Sequence, residues 1–339
     1  MMLLRNFIRI RPKYSLTFKF KSNNERLFIR HLCTINQKNT IGDIIKRWHQ
    51  RFEDENVSEP IESIEHIVCH VIGKKKIMDL GGLQEKELTL NEIEKLEMLC
   101  ECRFARMPVQ YIIGEWDFRD ITLKLVPPVF IPRPETEILV DFVLKRISAG
   151  NFNDSCDILE VGCGSGAISL ALLHACNKIK TLAIDTNIHA CNLTIENAKN
   201  LKLDDRLTVI NATLQDDATI KNSSDENSVD LNDEKFDFII SNPPYVSTKQ
   251  VFRLMPEIKL YEDVRALDGG DDGLKVIKPL LHYSSKSLKP GGRLFMEIDP
   301  AHSEYIQFFT AKYTNLKLKY EHTYKDFCNY DRFVEVSKI

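Results

Sequence analysis

The segment Asn242 to Tyr245, Asn-Pro-Pro-Tyr, directly follows an apolar run and is the clearest candidate for chemistry in the chain. Two consecutive prolines remove two backbone N–H donors and stiffen the loop. The side-chain oxygen of Asn242 and the carbonyl of Pro243 are left as two acceptors, which match the two N–H bonds of a planar NH2 group. The ring of Tyr245 offers a face for such a group. The segment, with Pro244 at its centre, predicts a site for an amide or an amine; the alternative is a proline-rich turn that ends a strand.

A glycine-rich turn lies upstream, between an apolar run and a helical pattern. It consists of Gly162, Cys163, Gly164, Ser165 and Gly166. Glycines let a backbone approach a ligand closely, and a helix N-terminus offers free N–H groups. Asp185 ends the next predicted strand, where its carboxylate can accept hydrogen bonds from both hydroxyls of a ribose. An NAD enzyme and a methyltransferase both fit these features, but Glu160 before the turn and the lack of a GxGxxG spacing favour S-adenosylmethionine.

The elements that must position these residues follow an alternating pattern after residue 155. Short β runs separate helical stretches at residues 157–161, 181–185, 207–210, 236–241, 293–298 and 332–336. Such alternation predicts a mainly parallel sheet with helices on both faces. Residues 215–235 interrupt it with seven acids and many Asn and Ser, which predicts a mobile surface loop.

The part of the chain before this pattern is helical in its periodicity. Apolar residues recur at intervals of three and four from Ile41 to Phe52 and again from Ile61 to Ile72. Thr89 and Glu92 have the spacing of a capping box at the start of a third helix. We therefore expect a helical domain at 37–107, a β-hairpin linker at 108–130 with strands at 111–118 and 121–126, and the α/β domain at 131–339.

The chain has 339 residues, of which 43% are hydrophobic and 28% are charged, and this composition is typical of a globular protein. No apolar run approaches the roughly 20 residues of a membrane-spanning helix. The first 32 residues carry eight Lys or Arg and one acid, so residues 1–36 have the composition of a mitochondrial transit segment. The alternative is a basic tail that contacts nucleic acid. The remaining chain has a net charge of −10, which argues against binding along a phosphate backbone.

Nine cysteines without a CxxC pair indicate neither a zinc ribbon nor a disulfide framework. Cys100 and Cys102 form a CxC, and His66, Cys69 and His70 can share a helical face. No second group completes either set as a zinc site. We expect no bound metal.

Several blocks together resemble the HemK-like peptide-chain release factor glutamine N(5)-methyltransferases over roughly residues 40–339. They are PVQYIIGEWDF (108–118), IPRPETE (131–137), VGCGSGAIS (161–169), SNPPYV (241–246), ALDGGDDGL (266–274) and LKPGGRLFMEI (288–298). The NPPY block is shared with nucleic-acid amino-methyltransferases, whereas PRPETE after a helical domain is more specific. The resemblance implies a class I S-adenosylmethionine-dependent methyltransferase, Rossmann-like with a mostly parallel seven-stranded sheet.

The resemblance also implies roles for single residues. Gly162 to Gly166 would line the methionine and ribose end of S-adenosylmethionine, Asp185 would hold the ribose hydroxyls, and Leu214 would pack on the adenine. Asn242 to Tyr245 would hold the substrate amide, with Asn242 also near the cofactor.

Two further positions have a less definite role, and three depart from the family pattern. Arg133 and Thr136 would meet the cofactor carboxylate or brace the NPPY loop, since a guanidinium suits a carboxylate. Asp263 stands where proline is usual, and Asp299 and His302 replace an expected glycine and glutamine. These departures concern substrate docking more than the chemistry.

The implied substrate is the glutamine of the GGQ loop in a class I release factor, and the N-terminus points to the mitochondrial matrix. We expect a monomer with a protein partner, no direct contact with nucleic acid and no membrane association. One alternative is an adenine-N6 or cytosine-N4 methyltransferase of DNA or RNA, whose exocyclic amine also fits NPPY. Another is a cofactor-binding assembly protein that transfers no methyl group.

Overall fold

The computed structural model describes residues 39–150, 155–223 and 231–339. The predicted transit segment at 1–36 and the centre of the predicted acidic loop lie outside these ranges. Among the described residues, none of the helices has the length and apolar character needed to span a bilayer.

The N-terminal part is a helical bundle with its own core. It contains α1 (Ile41–Asp54), α2 (Pro60–Val71) and α3 (Leu90–Phe104). Their apolar faces pack together with Trp48 and Phe52 at the centre, both fully buried. The capping box forms as its spacing predicts, since Thr89 N donates to Glu92 Oε2 at 2.8 Å and Glu92 N donates to Thr89 Oγ1 at 3.3 Å.

The predicted strand at 111–118 is wrong in its first part. Residues Val109–Ile113 form a short helix, α4, whose Val109 packs into the bundle core. Gly114 ends this helix in the left-handed region, with φ +83°. Only then do β1 (Glu115–Phe118) and β2 (Ile121–Lys124) form the antiparallel hairpin. The helical part therefore extends beyond residue 107, because tertiary packing of Val109 outweighs the β propensity of the segment.

The remaining residues build one sheet with helices between the strands. The strands are β3 (Cys156–Val161), β4 (Ile179–Asp185), β5 (Leu207–Leu214), β6 (Ile220–Asn222), β7 (Phe236–Ser241), β8 (Leu288–Glu297), β9 (Leu318–Lys325) and β10 (Asp331–Lys338). The helices are α5 (Thr136–Ala149), α6 (Ala167–Ala175), α7 (Ile188–Leu201), α8 (Thr248–Val251), α9 (Pro256–Tyr261), α10 (Ile277–Ser287) and α11 (Ser303–Lys312).

The strand order in the sheet is β6-β5-β4-β3-β7-β8-β10-β9. The five strands from β5 to β8 are parallel, and β10 is inserted antiparallel between β8 and β9. This is the class I methyltransferase arrangement that the resemblance implies, with one more strand than expected. The additional strand, β6, pairs antiparallel with the end of β5.

Helices cover both faces of the sheet, because successive side chains of a strand point to opposite faces and both sets are apolar. Ile158 and Phe238 point towards α5 and α6 in one apolar cluster. Leu159 and Ile239 point towards α10 and α11 in the other. The strands are buried on both sides, so they read as continuous apolar runs in the sequence.

The predicted acidic loop at 215–235 is ordered at both of its described ends. β6 occupies 220–222, with Ile220 in the sheet core, and Leu231 is fully buried. Asn232 Oδ1 accepts the N–H of Ile220 at 2.9 Å and joins the two ends of the segment. A strand of three residues among many acids is too weak a signal to predict from the sequence.

Candidate active site

Three segments with predicted chemistry meet at one edge of the sheet. β3 lies between β4 and β7 and runs parallel to both. The glycine-rich turn after β3 is therefore flanked by Asp185 at the end of β4 and by Asn242 after β7. In open α/β sheets, this carboxyl edge is where ligands bind.

The glycine-rich turn has a backbone that only glycine adopts readily. Gly162, Gly164 and Gly166 have φ values of +84°, +57° and +85°. A Cβ built on Gly162 or Gly164 would meet nothing within 4 Å, so these two residues border open space. Gly166 instead packs closely and is the N-cap of α6, whose first free N–H groups lie beside this space. The turn is thus an open cradle at a helix N-terminus.

Asp185 braces this turn from the side. Its Oδ2 accepts the N–H of Gly164 at 3.0 Å, and its Oδ1 accepts the N–H of Asn187 at 2.8 Å. Burial raises the pKa of Asp185, and the two N–H bonds act in the opposite direction. A carboxylate oxygen can accept more than one hydrogen bond, so both oxygens of Asp185 can also accept one from a ligand hydroxyl.

A small pocket opens in front of the turn. Its lining comprises Phe130, Pro132, Thr136, Glu160, Gly162, Cys163, Gly164, Ser165, Ala167, Ile168 and Asn242. Glu160 lies at its base, fully buried, and accepts bonds from the N–H and the hydroxyl of Ser169. Burial raises the pKa of Glu160 to about 8, against the effect of the Ser169 bonds. The pocket combines apolar walls with one buried acid.

The Asn-Pro-Pro-Tyr segment is held by a buried carboxylate. Asn242 Nδ2 donates to Thr136 Oγ1 at 3.2 Å, and Thr136 Oγ1 donates to Glu297 Oε2 at 2.7 Å. Tyr245 donates its hydroxyl to the other oxygen of Glu297 at 3.0 Å. Within the described ranges, no hydrogen bond reaches Asn242 Oδ1 or the carbonyl of Pro243. Both acceptors predicted for an NH2 group therefore lack a partner in the described part of the chain; Asn242 lines the pocket, whereas Pro243 is buried behind it.

A second glycine-rich loop supports the same segment from behind. Val246 N donates to Leu267 O at 2.9 Å, and Gly269 N donates to Val246 O at 2.8 Å. A Cβ on Gly269 would lie 2.7 Å from Pro244 O, so this position has no room for a side chain. Gly273 packs in the same way on the carbonyl of Tyr245. The sequence DGGDDG (268–273) indicates that the backbone of this loop lies close to another segment. It does not indicate which segment that is.

Two residues with an open role have clear contacts. Thr136 braces the NPPY loop, as described above. Arg133 contacts both oxygens of Glu262 through Nη2, at 2.8 and 3.0 Å, and lies over the Phe130 ring. It therefore braces the segment that follows NPPY.

Leu214 ends β5 and packs on the sheet core, two strands from the turn.

The three departures from the family pattern have structural partners. Asp263 N donates to Pro128 O at 2.7 Å, a bond that proline cannot make, and Asp263 Oδ2 accepts from Asn187 Nδ2 at 2.8 Å. Asp299 accepts the N–H of Ala301 at 3.0 Å at the start of a short 3-10 helix. The ring of His302 contacts Asp272 O at 3.0 Å in the loop behind NPPY.

The groups considered as metal ligands have other contacts. The described part of the chain contains no group of three or more His, Cys, Asp or Glu able to hold a metal ion. Cys69 donates its thiol to Lys76 O at 3.3 Å, and burial raises its pKa to about 11. His66 packs against Trp116 with ring centroids 4.8 Å apart.

Family comparisons cover both parts of the chain. Residues 43–114 match the PrmC N-terminal domain, and residues 135–259 match the methyltransferase small domain. The first range includes α4, in agreement with its packing on the bundle.

Full-length relatives extend over most of the chain. The human MTRF1L release factor glutamine methyltransferase is 40% identical over 301 residues, which cover 87% of this chain and 87% of the relative. A release factor glutamine methyltransferase of Caulobacter vibrioides is 33% identical, covering 86% of this chain and 95% of the relative. One of Clostridium acetobutylicum is 29% identical, with coverage of 87% and 97%.

Proposed function

Because the chain belongs to the release factor glutamine methyltransferases, we propose that it methylates the side-chain N(5) of the GGQ glutamine in a class I peptide-chain release factor. The observation that carries this proposal is the pair of acceptors without a partner, Asn242 Oδ1 and the carbonyl of the adjacent Pro243, with Asn242 in the same pocket as Gly162 and Gly164. A primary amide has two N–H bonds to match them.

The residues at the cradle fit S-adenosylmethionine. The open space at Gly162 and Gly164 accommodates a ligand where any side chain would intrude. Asp185 would hold the ribose hydroxyls, and Cys163, Ser165 and Gly166 complete the turn that surrounds the methionine end. Leu214, at the same edge of the sheet, would pack on the adenine. Bound S-adenosylmethionine supplies an electrophilic methyl group on a positively charged sulfur.

The chain's own task is to make an amide nitrogen nucleophilic. The lone pair of an amide is delocalised into its carbonyl group, so the nitrogen attacks poorly. Two acceptors that hold both N–H bonds favour a pyramidal nitrogen and aim its lone pair. As positive charge grows on that nitrogen, both hydrogen bonds strengthen, so Asn242 and Pro243 bind the transition state better than the ground state. Pro244 keeps the loop rigid, and Tyr245 supports the amide plane. Proton loss goes to solvent.

The proposed substrate is a protein with a protruding loop. The helical bundle would bind the body of the release factor while the GGQ loop enters beside NPPY. The acidic balance of the chain after its first 32 residues disfavours a nucleic-acid substrate. We further propose that the chain acts as a monomer in the mitochondrial matrix. Fusion of residues 1–36 to a fluorescent protein should then direct that protein to mitochondria.

Methyl transfer from labelled S-adenosylmethionine tests the substrate. The full chain is offered a mitochondrial class I release factor, the same factor with its GGQ glutamine changed to alanine, and duplex DNA. We expect label on the unchanged factor alone. Label on the DNA would assign the chain to the nucleic-acid amino-methyltransferases. Bound cofactor without transfer to any acceptor would favour the assembly-protein alternative.

Asn242→Ala tests the division between cofactor and substrate binding. Loss of one acceptor should lower kcat by roughly 100-fold or more. Because the cradle and Asp185 are unchanged, the Kd for S-adenosylmethionine in isothermal titration should stay within a few-fold. Loss of cofactor binding in this variant would contradict the proposed role of Asn242.

A further inference from the structure

A chain of hydrogen bonds leads from Asn242 to a carboxylate in the sheet. It passes from Asn242 Nδ2 through Thr136 Oγ1 to Glu297 Oε2, with lengths of 3.2 and 2.7 Å. Thr136 and Glu297 are 3% and 2% exposed, so water does not compete for these bonds. Glu297 ends β8, and Thr136 joins it to the pocket, whose lining includes both Thr136 and Asn242.

The direction of each bond follows from the chemistry of the groups. An ionised carboxylate only accepts, so Thr136 must use its single hydroxyl hydrogen towards Glu297. The hydroxyl oxygen of Thr136 can then only accept a hydrogen bond from Asn242. It therefore pairs with the NH2 group of the Asn242 amide and not with its oxygen. Asn242 Oδ1 is left to accept from the substrate. Tyr245 donates to the second oxygen of Glu297, so the same carboxylate also orients the aromatic ring.

Protonation of Glu297 would remove this selection. A neutral carboxyl donates from one of its oxygens, and the Thr136 hydroxyl is then free to donate towards Asn242. The amide of Asn242 could turn over and present its NH2 group to the NH2 group of the substrate. Two donors facing each other form no hydrogen bond, and the substrate nitrogen would lose one of its two acceptors.

We propose that Glu297 is a positioning residue that acts through Thr136 to fix the amide of Asn242 with its oxygen towards the substrate. This inference rests on the proposed amide substrate. It adds to that function a determinant of the Asn242 orientation that lies outside the NPPY segment.

Two charged groups act on Glu297, one from β10 and one from the segment before α5. Burial raises the pKa of Glu297, while the bonds from Thr136 and Tyr245 and the charge of Arg332 on β10 lower it. Glu135, before α5, raises it. The pKa of Glu297 is raised on balance, so its acid form is populated nearer to neutral pH than that of an exposed glutamate. We expect kcat to fall as the pH decreases through that range, because the Asn242 orientation is lost.

Glu297→Gln tests the proposal with the shape of the side chain preserved. The new amide can accept from Thr136 or from Tyr245 but not from both, because its nitrogen donates. We expect kcat for the release factor to fall roughly 100-fold, since small errors in position have effects of that size. The KM for the release factor and the Kd for S-adenosylmethionine should stay within about threefold. The acid limb of the kcat profile assigned to Glu297 should disappear.

A second pair of variants keeps the test decisive if Glu297→Gln folds poorly. Thr136→Ser retains the hydroxyl and should keep most of the activity, whereas Thr136→Val removes it and should behave like Glu297→Gln. Wild-type kcat in Glu297→Gln, or equal activity of Thr136→Ser and Thr136→Val, would overturn the inference. Lack of transfer by the wild-type chain would instead overturn the proposed function, so the two failures are distinguishable.

Discussion

At the scale of single residues, the glycines of the turn after β3 serve two different needs. All three adopt positive φ, which costs other residues about 1–2 kcal/mol. Gly162 borders the open cradle, whereas a Cβ on Gly166 would lie 2.9 Å from both Leu170 Cδ1 and Thr194 Cγ2. Gly162 therefore keeps the proposed ligand space open, and Gly166 allows α6 to pack on α7.

Alanine at each position should separate these needs. Gly162→Ala is expected to lose about 1–2 kcal/mol of stability through backbone strain. Its new methyl group enters the cradle, so the affinity for S-adenosylmethionine should fall on the order of tenfold. Gly166→Ala adds a steric clash and should lose about 2–5 kcal/mol. Denaturant unfolding and isothermal titration measure the two effects, and equal stability losses in the two variants would contradict the distinction.

Glu160 gives the fold a dependence on pH. Burial raises the pKa of Glu160 from the ordinary value of 4.5 to about 8. Between these two pH values, Glu160 is protonated in the folded state and ionised in the unfolded state. Stability from this group is complete below about 4.5 and is lost as the pH rises towards 8. Between these two values, an increase of one pH unit removes about 1.4 kcal/mol of that stability.

Glu160→Gln should remove this dependence while keeping acceptors and donors for Ser169. We expect the free energy of unfolding of the wild-type chain to decline relative to Glu160→Gln by a few kcal/mol between about pH 5 and 8, at about 1.4 kcal/mol per pH unit. Urea titrations at a series of pH values measure this difference. A constant difference between the two proteins across that range would show that Glu160 does not titrate there.

Local spacing makes part of the site predictable. Asp185 ends an apolar strand, and the glycine-rich turn and Asn242 each follow one, so the neighbouring residues in the sequence predict where these groups lie. Glu297 carries only a weak signal, an acid in an apolar strand, and its partners Thr136 and Tyr245 are 161 and 52 positions away along the chain. A hydrogen bond over such separations depends on the sheet order, which one sequence does not specify.

At the scale of elements, Asn197 on α7 joins the hairpin to the glycine-rich turn. Its Oδ1 accepts the N–H of Lys124 on β2 at 2.9 Å. Its Nδ2 donates to Lys124 O at 3.1 Å and to Ser165 O at 2.9 Å. The buried side chain thus continues the edge of β2 as a strand would, and it fixes the turn at the same time.

Asn197→Ala should therefore affect both stability and cofactor binding. Three backbone groups would each lose a hydrogen bond, and that of Ser165 is buried, so we expect a loss of about 2–4 kcal/mol. Glu196→Ala is the matched control, since Glu196 contacts Lys124 Nζ at the surface and such pairs are worth roughly 0–1 kcal/mol. Thermal unfolding and titration with S-adenosylmethionine compare them. Equal melting temperatures of the two variants would contradict the role of Asn197.

The elements themselves are predictable where periodicity is strong. The run at 236–241 is a strand with the bounds that the sequence indicates, because four of its six residues are apolar and it ends at the NPPY segment. The β propensity of Val, Tyr and Ile favours a strand near residues 109–113, yet the bundle packs them as a helix. β9 has no clear sequence signal, since it is an edge strand of mainly polar residues and tyrosines that are half-buried or exposed.

At the scale of the whole molecule, the helical bundle is joined to the segment after NPPY by a buried ionic cluster. Arg103 on α3 contacts Glu257 on α9 at 3.4 Å, and their side chains are 3% and 8% exposed. Ser58 donates its hydroxyl to the same carboxylate at 3.0 Å. Burial raises the pKa of Glu257, but hydrogen bonds, including the one from Ser58, and the charges of Arg106 and Arg103 lower it. On balance the pKa of Glu257 lies below its ordinary value.

We expect this cluster to couple the proposed binding surface for the release factor to the position of the candidate active site. Glu257 lies between NPPY and Glu262, and Tyr261 on the same helix donates its hydroxyl to Ala105 O at 2.8 Å. The bundle therefore reaches the site through α9 and not only through the hairpin linker. A change in the bundle position should alter where the release factor loop enters, without changing the cradle at Gly162.

Arg103→Met tests this coupling. The substitution removes one of the two arginines beside the buried Glu257, while Arg106 at 3.5 Å and the Ser58 bond remain, so the loss of stability should be at most about 3–5 kcal/mol. Because the bundle would move relative to the NPPY segment, we expect a higher KM for the release factor with an unchanged Kd for S-adenosylmethionine, both measured well below the melting temperature. Arg51→Gln is the control, since it breaks the exposed pair with Glu101 on the same bundle, worth roughly 0–1 kcal/mol. An unchanged KM in Arg103→Met would mean that the release factor is positioned independently of this junction.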